Sequence, residues 1–351
     1  MTKRKIHLEL IRMFAIFFVV ANHTGENLYL YYLTVPETFS RLFFTAFSAL
    51  DKTAVPLFFM VSGALLLPRT EDIKTVLRKR VLKYVIVLVL FSLLSYLYTL
   101  SFRLSDFSLW SFADILFAYG HAYSYWYLYA YLGFLVALPI LRRMANSMTD
   151  REYVYVFLVM VLVKLSEFAV FYLLKDPVTI HSDFFPVIIE YTLFYPLIGN
   201  YLENRLDSDA FSKRNGWLVL GGILLSLALT AVTQDLYCRN FGGWTPENAS
   251  VYIGNLSAIP SVGLYYLIRS LFLHHQPGPR LSRVLVFFGS AAFGVYLLQH
   301  IYLREFEPLA QLLRDALGTF PGTFLTVLLI CVFGTLVTKL LKLIPGLRSL
   351  L

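Results

Sequence analysis

The chain has 351 residues, of which 58% are hydrophobic and 15% charged, with a formal net charge of +8. That charge content excludes an ordinary water-soluble domain, where Asp, Glu, Lys and Arg make up about 25% of residues. The basic excess does not call for nucleic acid, because basic residues of membrane proteins gather on the cytoplasmic side; membrane lipids are the expected surroundings.

The apolar residues fall into runs of about 18–25, the length of a helix that crosses a bilayer. Ten such windows are read, at 8–24, 44–67, 82–101, 123–141, 153–174, 184–202, 216–233, 251–273, 284–303 and 321–344. Alternate loops differ in charge: 21 Lys and Arg residues lie on one side and 6 on the other. This places both termini in the cytoplasm. The expected fold is an all-α polytopic membrane helix bundle of about ten transmembrane helices, one domain over residues 1–351. The loops are short, and no internal repeat or low-complexity tract stands out. The basic start followed by an apolar run is similar to a signal peptide, but no small-residue cleavage pattern follows. The first helix is therefore expected to stay in place as an anchor.

Ionisable groups inside a bilayer cost about 2.5–3.5 kcal/mol each on insertion scales, so each one invites a functional explanation. In the first span, "LIRMFAIFFVVANH", Arg12 and His23 are eleven residues apart. Eleven residues make about three helical turns, which puts both on one stripe about 16 Å apart. Glu9 lies three residues before Arg12, within pairing reach. Arg12 is then expected near the cytoplasmic end and His23 near the outer end.

The second span, "DKTAVPLFFMVSGALLL", carries Asp51 and Lys52 at its outer end, and these two can pair. Pro56 removes a backbone donor. Ser62 and Gly63 form a small surface for a neighbouring helix or a ligand. Further along stand Trp126, the Lys164–Glu167 pair, Glu190, Gln299 and His300, all placed by the charge rule in the outer half. Lys164 and Glu167 are spaced to bond each other, which favours a structural pair. Trp126 also suits an interfacial aromatic belt.

The sum is a group of polar residues in the outer half, an arginine below it and basic loops on the cytoplasmic side. This layout suits an anionic ligand entering from inside and chemistry higher in the bundle, with a neutral histidine as general base. Cys238 and Cys331 offer neither a metal site nor an evident disulfide, and no zinc, phosphate-loop or nucleophile-elbow motif occurs. No metal is expected.

These residues also carry a resemblance. "IHLELIRMFAIFFVVANH" resembles the first helix of the acyltransferase-3 family, multi-pass enzymes that modify bacterial surface sugars. That helix bears an arginine and a histidine separated by ten residues, matched here by Arg12 and His23, with an acidic residue at Glu9. "VPLFFMVSGALLL" resembles the second family signature through Pro56, Phe58, Phe59, Ser62 and Gly63, with Lys52 four residues before the proline. "YWYLYAYLGFLVALPIL", with Trp126 and Pro139, and "FGVYLLQH", with Tyr296 and His300, resemble the later ones. One departure is Ser124, where the family often has a histidine; the nearest here is His121.

The resemblance implies acyl transfer, usually of acetyl, from cytoplasmic acyl-CoA to a hydroxyl of a glycan or lipid-linked sugar acceptor. It implies a bacterial cytoplasmic-membrane location and acetyl-CoA as donor. On this basis His23 is expected as general base or transient acyl carrier, and Arg12 as the residue holding the CoA end. Arg78, Lys79 and Arg80 either draw in the CoA phosphates or serve only as topology determinants. Ser62 and Gly63 are expected to let the pantetheine arm pass, and Glu9, Lys52, Trp126, Glu190 and His300 to line the substrate path. Lys52 also suits a succinyl group. The competing functions are an exporter of polysaccharide or its precursors, and a glycosyltransferase using Glu167 or Glu190. Oligomeric state is not specified by the sequence.

Overall fold

The computed structural model describes residues 5–35, 38–118, 125–174, 190–241, 243–245, 248 and 251–351. The described residues are 83% helix, with no strand among them. The elements are α1 (Ile6–Asn22), α2 (Thr38–Asp51), α3 (Ala54–Leu66), α4 (Ile73–Val76), a π-helical turn (Leu77–Val81), α5 (Leu82–Thr99) and α6 (Leu109–Ala118). They continue as α7 (Trp126–Ser147), α8 (Asp150–Leu174), α9 (Tyr191–Asn204), α10 (Lys213–Asn240) and α11 (Ala258–His274). The last are α12 (Pro279–Gly289), α13 (Ala292–Glu305), α14 (Glu307–Leu317), α15 (Thr319–Leu341) and α16 (Pro345–Leu350).

An all-helical answer follows from the solvent: in hydrocarbon every backbone N–H and C=O must be satisfied within the segment. Each of the ten apolar windows holds a helix among its described residues, although 123–124 and 184–189 lie outside them. Among the described residues, six helices are long and apolar enough to cross a membrane: Phe39–Leu66, Ile73–Thr99, Trp126–Ser147, Asp150–Val170, Lys213–Asn240 and Thr319–Leu341. The α12–α13 pair, bent by 52°, makes a seventh if it counts as one span. The other three windows hold shorter helices, α1 and α11 of 17 residues and α9 of 14.

These short helices belong to the interior. One continuous apolar core runs from Leu8 of α1 to Ile330 of α15 and includes most of α3, α7 and α9. Exposed leucines such as Leu218 and Leu225 of α10 and Leu162 of α8 cover the outside, as expected where lipid is the solvent.

Glycine sets the closest helix crossing. A Cβ on Gly63 of α3 would lie 2.0 Å from the Pro196 carbonyl oxygen of α9, and one on Gly199 would lie 2.1 Å from the Met60 carbonyl oxygen. The two backbones touch, as small residues permit in membranes. Likewise Gly289, at the end of α12, abuts the backbone of Glu9 in α1. The chain then breaks at Ser290 and restarts as α13, whose first turn points at the interior cavity described next.

Candidate active site

Helix α1 carries the two residues around which the site is built. The Arg12 Nη1 donates to Glu9 Oε1 at 2.9 Å, and the Glu9 side chain is almost completely buried. That bond uses one of the five guanidinium N–H groups, and the Arg12 side chain lines a cavity of about 600 Å³. Such a volume lies within the range of roughly 300–1,000 Å³ typical of ligand sites.

The cavity is strongly basic. Arg12, Arg69, Lys79, Arg80, Lys83, Lys339 and Lys342 all line it, and no Asp or Glu does so among the described residues. Several elements deliver these cations: α1, the segment after α3, the π-helical turn, α5 and the end of α15. Gly289, Ser290, Ala292 and Phe293 bring the start of α13 to the same wall. A helix N-terminus adds unpaired N–H groups and a positive dipole end, which favour an anion. Lys339 Nζ donates to Ser290 Oγ at 2.7 Å and Lys342 Nζ to the Ser290 carbonyl at 2.8 Å, tying α15 to the α12–α13 break.

Outside the cavity, Glu71 steadies the basic wall. Arg80 donates to it twice, Nε to Oε2 at 2.7 Å and Nη2 to Oε1 at 2.5 Å. Arg142 Nη2 donates to Oε2 at 2.9 Å, and the Arg142 Nε donates to the Leu66 carbonyl at 3.0 Å. The Arg80 hydrogen bond, joined by that of Arg142, pulls the Glu71 carboxyl down to about 2.

His23 follows the last turn of α1 and lines a second cavity of about 330 Å³. Its Nδ1 lies 2.7 Å from the Val19 carbonyl oxygen. A carbonyl only accepts, so Nδ1 carries the proton in this contact. The neutral ring then has its lone pair on Nε2, the arrangement required of a general base. Asp51, Lys52, Trp126 and Tyr191 share this cavity. The Lys52 ammonium stands 4.5 Å from the centre of the Tyr29 ring.

Phe58, Tyr127 and Tyr296 line both cavities. The Phe58 and Tyr127 rings are 6.0 Å apart, and those of Tyr127 and Tyr296 are 5.5 Å apart. The two chambers are thus divided by an aromatic wall, with Arg12 on one side and His23 on the other.

The family model for the acyltransferase domain matches residues 6–341, nearly the whole chain. The chain belongs to the acyltransferase-3 family. Searches of curated proteins and of solved structures gave no match. Together with its membrane-length apolar helices, this makes the protein a membrane acyltransferase.

In this acyltransferase the first two sequence signatures meet at the two chambers. Arg12 and Ser62 line the basic chamber, and His23, Lys52 and Trp126 line the histidine chamber. Ser62 Oγ also donates to the Phe58 carbonyl at 2.9 Å. Gly63 lines neither chamber; it is consumed by the α3–α9 crossing, because neighbouring helical residues point about 100° apart. Glu9 lines neither chamber and bears on the site through its bond to Arg12 and its backbone contact with Gly289. Glu190 is the exposed residue preceding α9, next to the Tyr191 that does line the chamber. His300 Nε2 is 2.8 Å from Ser95 Oγ, and its ring packs edge-on against Tyr125, away from both linings. Lys164 and Glu167 form an ion pair at 3.0 Å, as their spacing suggests. Of the three loop cations, Lys79 and Arg80 face the basic chamber and Arg78 does not. His121 and Ser124 lie outside the described residues.

Sequence reasoning assigned no site role to Lys339, Lys342, Lys83 or Arg69, which it counted only as loop charges. It also gave none to Tyr127, Tyr191 or the wall-forming Phe58. A faint signal existed, since Lys79/Lys83 and Lys339/Lys342 have the i,i+4 and i,i+3 spacings of one helix face.

Proposed function

We propose that the protein moves an acetyl group from cytoplasmic acyl-CoA to a hydroxyl of a cell-surface or lipid-linked glycan, in a bacterial cytoplasmic membrane. The observation that carries this is the pair of chambers: one lined by seven basic side chains, the other holding a histidine whose Nδ1 bonds a carbonyl and whose Nε2 is left to accept a proton, with three aromatic residues lining both among the described residues. The first suits the phosphates of CoA, since Arg and Lys bind polyanions strongly. The second suits proton removal from a hydroxyl.

On this reading the single domain crosses the membrane ten times, with both termini and the basic chamber on the cytoplasmic side. Arg12, held by Glu9, grips the donor, and the thioester end reaches between Phe58, Tyr127 and Tyr296. The acceptor oxygen attacks the thioester carbonyl while His23 Nε2 takes its proton. The C–S bond then breaks, and the proton passes to the departing thiolate. In the covalent variant His23 Nε2 attacks the thioester carbonyl and CoA leaves as the thiolate; the acceptor hydroxyl then takes the acyl group, its proton going to Nε2 as the N–acyl bond breaks and from there to the thiolate.

The experiment is acetyl-CoA binding and turnover by the protein in nanodiscs, comparing wild type, His23→Ala and Arg12→Ala. Loss of a general base typically costs about 10²–10⁴ in rate. His23→Ala is therefore expected to lose CoA release by at least 100-fold while still binding acetyl-CoA, and Arg12→Ala to weaken binding. Full turnover in His23→Ala would end the base assignment. If neither acetyl-CoA nor succinyl-CoA binds the wild type, the exporter reading replaces this one.

A further inference from the structure

Among the described residues, Asp51 is the one acidic side chain lining the histidine chamber. It closes α2, and it is completely buried. Neither carboxylate oxygen has a hydrogen-bond partner among the described residues. Such a position opposes stability, because a buried acceptor without a donor forfeits its hydration, at about 1–3 kcal/mol or more. Lys52 is adjacent, but its ammonium sits over the Tyr29 ring. A protein retains such a group where something else completes it.

The surroundings say what kind of ligand would do so. Trp126, Tyr127, Tyr191 and Tyr296 share the chamber with Asp51 and offer it aromatic surface. A carboxyl group presents two oxygens side by side and can bond two neighbouring hydroxyls at once. A ring with adjacent hydroxyls on one edge and C–H groups on its faces matches both features. Phosphates belong to the basic chamber, where seven cations attract them. About 330 Å³ is the small end of ligand-site volumes, enough for one sugar unit and not a chain.

We propose that Asp51 is the acceptor-binding residue, holding adjacent hydroxyls of a single pyranose unit inside the histidine chamber. This rests on the acyl-transfer reading and adds the residue that selects the acceptor. The experiment uses the full chain in nanodiscs with acetyl-CoA and a panel of methyl glycosides of glucose, galactose, mannose and N-acetylglucosamine. Acetylated glycoside is read by mass spectrometry, and sugar binding by titration calorimetry. In Asp51→Asn, which preserves shape, the glycoside KM is expected to rise at least tenfold while the KM for acetyl-CoA stays within twofold. Equal glycoside KM in wild type and Asp51→Asn would overturn the proposal. So would a wild type that turns over acetyl-CoA yet acetylates none of the glycosides. If acetyl-CoA is not turned over at all, the acyl-transfer reading fails on its own. Calorimetry then still decides the sugar site: weaker glycoside binding by Asp51→Asn supports it, and equal or absent binding overturns it.

Discussion

Glu71 illustrates how a single residue outside the cavity shapes it. Its carboxylate holds Arg80 on the basic wall and links it to Arg142, whose Nε bonds the end of α3. Because the folded-state value is depressed to about 2, chiefly by the Arg80 hydrogen bond, ionised Glu71 favours the folded form. The sign follows from linkage: the contribution is complete above the ordinary value of about 4.5 and is lost as pH falls from there toward 2. Glu71→Gln is therefore expected to lower the unfolding midpoint at pH 7 and to differ much less from wild type at pH 3. Thermal unfolding in one detergent at both pH values checks this; an equal deficit at both would show that packing, not charge, is responsible. Ser62 and Gly63 make the complementary point. The sequence pairs them as one small surface, yet one faces the cavity and the other is pressed against Pro196. Which neighbour does which depends on where α9 lies, a fact absent from the pair itself.

At the scale of elements, α1 acts as the axis of the site. Its helical spacing puts Arg12 and His23 on one stripe; Arg12, near its middle, opens on one chamber, and His23, just past its end, on the other. The π-helical turn at Leu77–Val81 resets the helical phase just where Lys79 and Arg80 enter the wall; such turns are frequent at functional sites. The divider is built by three helices, α3, α7 and α13, each giving one ring. Phe58 is the member without a hydroxyl, so its removal opens space with the least change in polarity. Phe58→Ala is expected to broaden donor use toward propionyl- and butyryl-CoA and to speed CoA release to water. A series of acyl-CoA chain lengths, wild type beside Phe58→Ala, measures it. An unchanged chain-length profile would mean that the wall does not gauge the acyl group.

The whole molecule separates its charges by chamber. Seven basic side chains surround one cavity, while the other holds one aspartate, one lysine and one histidine among the described residues. A field of this kind draws a polyanion from solution and weakens with salt, because the screening length shrinks from about 10 Å at 0.1 M to about 3 Å at 1 M. Acetyl-CoA KM is thus expected to rise severalfold between 0.05 M and 0.5 M salt. The rise should be smaller in Lys79→Ala, whose side chain is exposed at the cavity rim. Steady-state kinetics across that range provide the measurement; a KM indifferent to salt would remove the phosphate role of the basic chamber.

The amino-acid sequence by itself determined the helical class, the membrane habitat, the family and the Arg12–His23 stripe. All of these rest on local or near-local features: apolar run length, loop charge, and a spacing that helical geometry converts directly into position. It also paired Lys164 with Glu167 correctly, because three residues along a helix suffice to bring them together. The tertiary structure alone decided which polar residues share a cavity. It removed His300 to a contact with Ser95, left Glu190 exposed before α9, and gave Gly63 to helix packing. It recruited Lys339 and Lys342 from the far end of the chain and left Asp51 without a hydrogen-bond partner among the described residues. These outcomes depend on how helices distant in sequence lie against one another, and periodicity within one helix carries no information about its neighbours.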